Sequence, residues 1–216
     1  MIKKILFLLA FVPVVLFGQK TKKIIDKEKN ETFYVLKSDK TTKHGEYNKF
    51  WNNKLLVKGY YKLSQKDSIW ESFDLNGQLS IKYDFTKNQL IYYKPGKNIG
   101  NMKFKFINGN QNSDSILNRI PIFLGGEGSY LIEINNNIRY PVSAQENGIS
   151  GIVNVFFIVD KFGKTSNYNV KTPLGYGLDE EAIRVLKLLS DNWLAGLFNG
   201  QPADVEVMCP ITFRLQ

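Results

Sequence analysis

One cysteine and one histidine in 216 residues remove whole classes of chemistry. Cys209 has no second thiol with which to close an intramolecular disulfide, and His44 cannot supply paired-histidine metal spacing. The two lie in different halves of the chain, which argues against a Cys/His catalytic pair. No G-x-S-x-G, paired carboxylate or metal-spaced cluster occurs, so neither enzymatic activity nor a cofactor is expected. Arginine is also scarce, at 4 residues against 25 lysines. The net charge of +9 would suit an anionic partner. Nucleic acid is a poor candidate, because guanidinium forks are the preferred readers of phosphates and guanine edges. What the chain does have, 43% hydrophobic and 13% aromatic residues, suffices for one or two ordinary cores.

The charge is unevenly placed. Residues 1–18 carry +2, residues 19–110 carry +10 and residues 111–216 carry −3, a change of sign that predicts two domains with different surfaces. Residues 1–18 read as an export signal: Lys3 and Lys4 precede a 13-residue apolar run, residues 5–17, with Gly18 at the cleavage edge. The run contains Pro13 and falls short of the roughly 20 apolar residues of a membrane-spanning helix. A periplasmic location is expected; Leu16, larger than the small residue usually wanted two positions before the cleavage-edge residue, leaves an uncleaved inner-membrane anchor as the alternative. Export also takes the chain away from cytoplasmic nucleic acid.

In the basic half, pairs of similar residues recur 23 positions apart: Tyr47 and Trp70, Phe50 and Phe73, Asn53 and Asn76, Leu56 and Leu79, Tyr60 and Tyr83. A fixed period with aromatics and turn residues in register predicts a repeated unit of short strands joined by turns such as Asn76-Gly77. The pattern His44-Gly45-Glu46-Tyr47, Lys58-Gly59-Tyr60-Tyr61 and Ile69-Trp70-x-x-Phe73-x-x-Asn76-Gly77-x-Leu79 resembles MORN-like repeats over residues 32–95. Ser68 stands where a repeat glycine is expected. The resemblance implies a binding or scaffolding surface without a shared catalytic site. The aromatics read as hairpin core, and the lysines as a solvated face or as a contact for an anionic envelope surface.

Lys94-Pro95-Gly96 and the polar run at residues 108–115 mark a linker, giving a division into residues 1–18, 19–95, 96–119 and 120–216. Alternation at Ile152/Val153, Val155, Phe157 and Val159 predicts a strand, residues 165–171 a second, and Ala182, Ile183, Val185, Leu186 and Leu189 an amphipathic helix. Asp179, Glu180 and Glu181 open that helix, where capping and dipole complementarity are favoured over a metal or acid–base site. Val205, Val207, Cys209, Ile211 and Phe213 alternate again, with Cys209 a buried packing residue rather than a reactive thiol. Pro210 lacks a ladder donor, so this strand is expected at an edge or with a bulge, and an edge can take up an extended peptide.

The segments Pro121-Ile-Phe123-Leu124-Gly125-Gly126-Glu127, Tyr140-Pro141-x-x-Ala144-Gln145, Gly148-x-x-Gly151-x-Val153-x-Val155-x-Phe157-x-Val159, Leu178-Asp179-Glu180-x-Ala182 and Asn199-Gly200-x-Pro202 together resemble the C-terminal domain of TonB-type energy transducers, over residues 120–216. The resemblance implies an α+β fold: a two-layer domain with a three-stranded antiparallel sheet and helices on one face, following the all-β hairpin repeats. It further implies pairing of the last strand with the TonB box of an outer-membrane TonB-dependent receptor, or with another envelope protein. The implied partner-binding residues are Gln145, Val205, Glu206, Val207, Met208, Cys209, Ile211 and Phe213. Gln145 also reads simply as an exposed helical polar residue, and a homodimer by strand exchange is open. A working transducer would carry a polar or histidine-bearing membrane helix and a long Pro-rich spacer, features that the signal-like segment and the hairpin repeats do not provide.

Overall fold

The computed structural model describes residues 19–96, 102–107, 117–190 and 192–215. The expected signal segment and most of the expected linker lie outside the described residues. Strands β1 (Thr21–Asp26), β2 (Glu31–Leu36), β3 (Lys43–Trp51), β4 (Lys54–Lys62), β5 (Gln65–Phe73), β6 (Leu79–Asp84) and β7 (Gln89–Tyr93) form one antiparallel meander in sequence order. Tight turns make the meander possible. Asn52 and Asn53 turn β3 into β4 with φ of 46° and 61°, and Leu63 and Ser64 turn β4 into β5 with φ of 50° and 64°. At the Asn76-Gly77 turn, Asp74 accepts hydrogen bonds from the backbone N–H groups of Asn76 and Gln78.

The 23-residue spacing now has a structural meaning. Tyr47 and Trp70 lie on β3 and β5, Tyr60 and Tyr83 on β4 and β6, so one period advances the chain by one hairpin. The register brings Tyr47 and Trp70 into a stack with centroids 5.3 Å apart, with Tyr61 edge-on to both. Gly59 lies under this cluster: a Cβ there would stand 2.1 Å from the Trp70 indole. Ser68, in the place of a repeat glycine, adopts φ of 57°, the left-handed conformation that glycine favours. The sheet is consistent with a repeat of hairpins.

The rest of the chain forms β8 (Lys103–Phe106), β9 (Leu117–Arg119), β10 (Ile122–Phe123), α1 (Gly126–Asn137), α2 (Val142–Glu146), β11 (Gly151–Val159), β12 (Thr165–Val170), α3 (Leu178–Lys187), β13 (Trp193–Leu194), β14 (Gly196–Phe198), β15 (Gln201–Ala203) and β16 (Val205–Phe213). The main sheet has the order β12-β11-β16-β8. It therefore has four strands rather than the expected three, and the fourth comes from the segment read as linker. Its inner face, Val153, Val155, Phe157, Val207, Cys209, Ile211 and Phe213, packs against Tyr130 and Ile134 of α1, Ala144 of α2 and Leu178, Ala182, Val185 and Leu186 of α3. These apolar side chains supply the hydrophobic driving force of this half.

Helix α1 faces both ways. Ile132 joins the cluster of Tyr47, Leu56, Val57 and Trp70 in the repeat sheet, while Tyr130 and Ile134 belong to the C-terminal core. Gly128 permits the approach, since a Cβ there would stand 3.2 Å from the Phe73 carbonyl oxygen. Glu133 on the same helix pairs with Lys49 of β3, and the Ser72 hydroxyl donates to the Leu124 carbonyl at 2.7 Å.

The first turn of α3 departs from expectation. Gly177, with φ of 83°, occupies the cap position, and the helix starts at Leu178. The Asp179 carboxylate instead accepts from the N–H groups of Leu174 and Gly175, at 3.0 and 2.7 Å, and is buried. It ties down the preceding loop by bonding its backbone amides.

Candidate partner-binding edge

Strand β16 pairs with β11 along its whole length, from Val205↔Val159 to Phe213↔Gly151, without a register shift. On its other side β8 pairs only with residues 205–208, from Val205↔Phe106 to Met208↔Lys103. The expectation of an edge strand thus fails for residues 205–208, where β8 supplies a neighbour; among the described residues no strand flanks residues 209–213 on that side. Pro210 causes no bulge. Its place in the ladder explains why: the Ile107 N–H donates to the Asp204 carbonyl at 3.3 Å, so Asp204 points toward β8. Alternation along an antiparallel strand then turns residues 206, 208, 210 and 212 to the same side, and residues 205, 207, 209, 211 and 213 toward β11. The donor that Pro210 lacks would have pointed away from β11, so that ladder loses nothing. The pairing with β8 stops two residues before it.

This alternation sorts the residues named from sequence. Val205, Val207, Cys209, Ile211 and Phe213 have buried side chains and backbone groups directed to β11. Glu206 and Met208 direct theirs to β8. Among the described residues, the groups on the far side of β16 that no strand takes up are the Pro210 carbonyl and the Thr212 N–H and C=O, two positions that the alternating apolar pattern passes over. The signal for them was Pro210 itself.

Cys209 is 1% exposed, and its thiol lies 2.6 Å from the Tyr130 hydroxyl. Burial pushes the thiol up to about 12 and the Tyr130 phenol well above its ordinary value. Both groups therefore stay neutral and unreactive. Gln145 is exposed on the short α2 turn, next to the fully buried Ala144. Tyr140 anchors that turn at the end of β16: its ring meets Phe213 edge-on at 5.8 Å, and its hydroxyl donates to the Ile149 carbonyl at 2.5 Å. Gln145 and the uncovered stretch of β16 consequently share one end of the sheet.

The outer face beside this edge is polar and partly aromatic. Lys103, Phe104, Lys105, Asn154, Phe156 and Met208 line a shallow depression of about 390 Å³, over which Lys171 pairs with Glu206 at 3.3 Å. The opposite edge of the sheet, β12, is less suited to pairing: its register shifts against Phe156 and Ile158, and Asn167 has φ of 56°. A bulged edge twists away from an incoming strand.

In the repeat sheet, several lysines are already engaged. Lys58 and Lys82 clasp Glu71 at 2.7 and 2.9 Å, Lys49 lies between Glu31 and Glu133, and Lys43 stands over the rings of Phe33, Tyr47 and Tyr61. Lysine attraction to both sides holds the Glu71 carboxyl below its ordinary range. Among the described residues no group of three or more His, Cys, Asp or Glu is placed to hold a metal ion, and no helix is long and apolar enough to cross a membrane.

Residues 136–215 match the family model described as Gram-negative bacterial TonB protein C-terminal. No curated protein and no solved structure matches the chain. The matched segment runs from the end of α1 to the end of β16 and omits β8. It supports a TonB C-terminal domain in this half of the chain and, with it, a TonB-like envelope protein associated with TonB-dependent transport.

Proposed function

We propose that the protein is a periplasmic binding module whose C-terminal half takes up an extended segment of an outer-membrane TonB-dependent receptor, or of another envelope protein, as an added strand on β16. The observation that carries this reading is the half-covered edge: β8 ends opposite Met208, and among the described residues no strand pairs with residues 209–213 on that side. Strand addition draws its affinity from main-chain hydrogen bonds and its selectivity from side-chain pockets. Here the open groups at Pro210 and Thr212 offer the first, and Gln145 with the depression at Asn154 and Phe156 the second. The half-edge alone is short, so an incoming strand gains most by running past Met208 into the place of β8. The MORN-like sheet supplies a second contact surface, and the reading is non-enzymatic.

The test is a titration of isotopically labelled residues 19–216 with N-terminal peptides of TonB-dependent receptors. Thr212 and its β16 neighbours are expected to shift first. Weakening β8 with Phe104→Ser, which removes a ring packed on the C-terminal core, should tighten binding. Unchanged β16 amides at millimolar peptide would sink the proposal. N-terminal sequencing of the protein purified from cells should give a start near Gln19; a start at Met1 would instead favour the anchored transducer.

A further inference from the structure

A second site lies where the repeat sheet meets the strands after α3. A pocket of about 560 Å³ is lined there by Lys66, Arg119 and Lys161, by Asn88, and by the rings of Phe85 and Phe162, and among the described residues no aspartate or glutamate lines it. That volume lies in the ordinary range for small-molecule sites. Arg119 is the telling residue. One of its terminal amino groups donates to the Ala195 carbonyl at 2.8 Å, but its Nε is buried without a hydrogen-bond partner, and no described carboxylate pairs with it. Burial presses its pKa downward, and the nearest phenol, Tyr83, only partly offsets this. A partly buried guanidinium without a counter-ion is costly, and proteins ordinarily satisfy such groups.

The neighbouring acids do not answer the need. Asp160 accepts from the N–H groups of Phe162 and Lys164, and Asp204 from that of Lys161, so both hold the β11–β12 turn in shape. Lys66 is bonded to Asn192 and set 4.9 Å over the Trp70 ring. Three cations around one concavity focus a positive potential into it. The apolar wall has a matching feature: Phe162, at the tip of the turn, is 76% exposed, with the Lys161 ammonium 5.2 Å over its ring. An exposed ring beside the Lys161 ammonium offers a stacking surface to a flat body that bears negative charge.

We propose that this pocket binds a small oxyanion carried on a flat apolar body, with Arg119 and Lys161 meeting the oxyanion and Phe162 stacking on the body. The site is separate from the β16 edge and does not rest on strand addition.

Calorimetric titration of residues 19–216 with phenyl phosphate, inorganic phosphate and phenol reads the two halves of the ligand separately. Phenyl phosphate is expected to bind one site saturably, and each of the other two about tenfold more weakly or less. Arg119→Gln and Lys161→Gln should each weaken phenyl phosphate about tenfold, whereas Lys22→Gln, an exposed residue of β1 at the far edge of the repeat sheet, should leave it unchanged. Lys161 sits on an exposed turn, so its variant reads the site even if Arg119→Gln is unstable. Equal losses in all three variants would mean diffuse attraction to a basic surface and overturn the proposal. So would inorganic phosphate binding as tightly as phenyl phosphate, or unchanged binding in Lys161→Gln.

Discussion

Single residues in this chain are decided by what stands opposite them. Gly59 lies under Trp70 with no room for a methyl group, so Gly59→Ala must push the indole off the Tyr47 ring or bend β4. Overpacking of this kind costs about 1–3 kcal/mol. The expected result is a lower urea midpoint together with a red-shifted Trp70 emission, and unchanged emission would mean that the sheet absorbs the methyl group elsewhere. Cys209 makes a prediction with a sign. Its folded thiol titrates near 12 against an ordinary value of 9.0, so the unfolded chain releases this proton first as pH rises. The folded state then binds more protons than the unfolded one, and stability falls above about pH 9 by up to about 1.4 kcal/mol per pH unit, with no contribution below it. Urea midpoints at pH 7.5, 9 and 10 should therefore drop more steeply in the wild type than in Cys209→Ala, whose lower overall stability reflects the lost packing; parallel curves would contradict the thiol's burial.

At the scale of elements, β16 shows how a proline sits within a ladder without breaking it. Because position 210 faces away from β11, Pro210→Val should leave the fold in place while adding a donor to the uncovered edge. An added strand would then gain one hydrogen bond, a net of about 1 kcal/mol or roughly fivefold in affinity. Receptor-peptide titrations of the two proteins check this, and an unchanged or weaker affinity would put the peptide elsewhere than on this edge. The sequence shows β11 and β16 as strands, through their alternating buried positions; the structure pairs them, with Val155 opposite Cys209. The sequence also shows the hairpin repeat, because similar side chains recur wherever one hairpin advances the chain. It does not show β8. Lys103, Phe104, Lys105 and Phe106 alternate over only four residues, too few to separate from a polar linker, and what makes them a strand is the distant edge of β16 together with the Phe198 ring, which stacks on Phe106 at 3.8 Å. The carboxylate of Asp179 was likewise legible as acidic but not in its role, which depends on the loop returning to it. The anion pocket was invisible for the same reason, since Lys66, Arg119 and Lys161 converge only in three dimensions.

For the whole molecule, α1 is the element that decides whether two halves of opposite charge behave as one body. Its Ile132 is buried in the repeat sheet's cluster, its Tyr130 and Ile134 in the C-terminal core, and Glu133 reaches across to Lys49. A helix with both faces buried cannot be released by one half without stripping the other of apolar contacts, so unfolding should be a single cooperative event. Truncating Ile132 to Ala removes a buried side chain from the repeat side only, at a cost of about 2–4 kcal/mol. If the halves are coupled through α1, the indole signal of Trp193, which packs on Phe123 and Phe157, will lose its native dispersion at the same lowered urea concentration as that of Trp70. If they are not, Ile132→Ala will lower the Trp70 midpoint and leave the Trp193 midpoint where it was. If a partner strand adds to the β16 edge as proposed, the first outcome means that a load applied through it would pass along β11 and the core to α1, and from α1 into the repeat sheet.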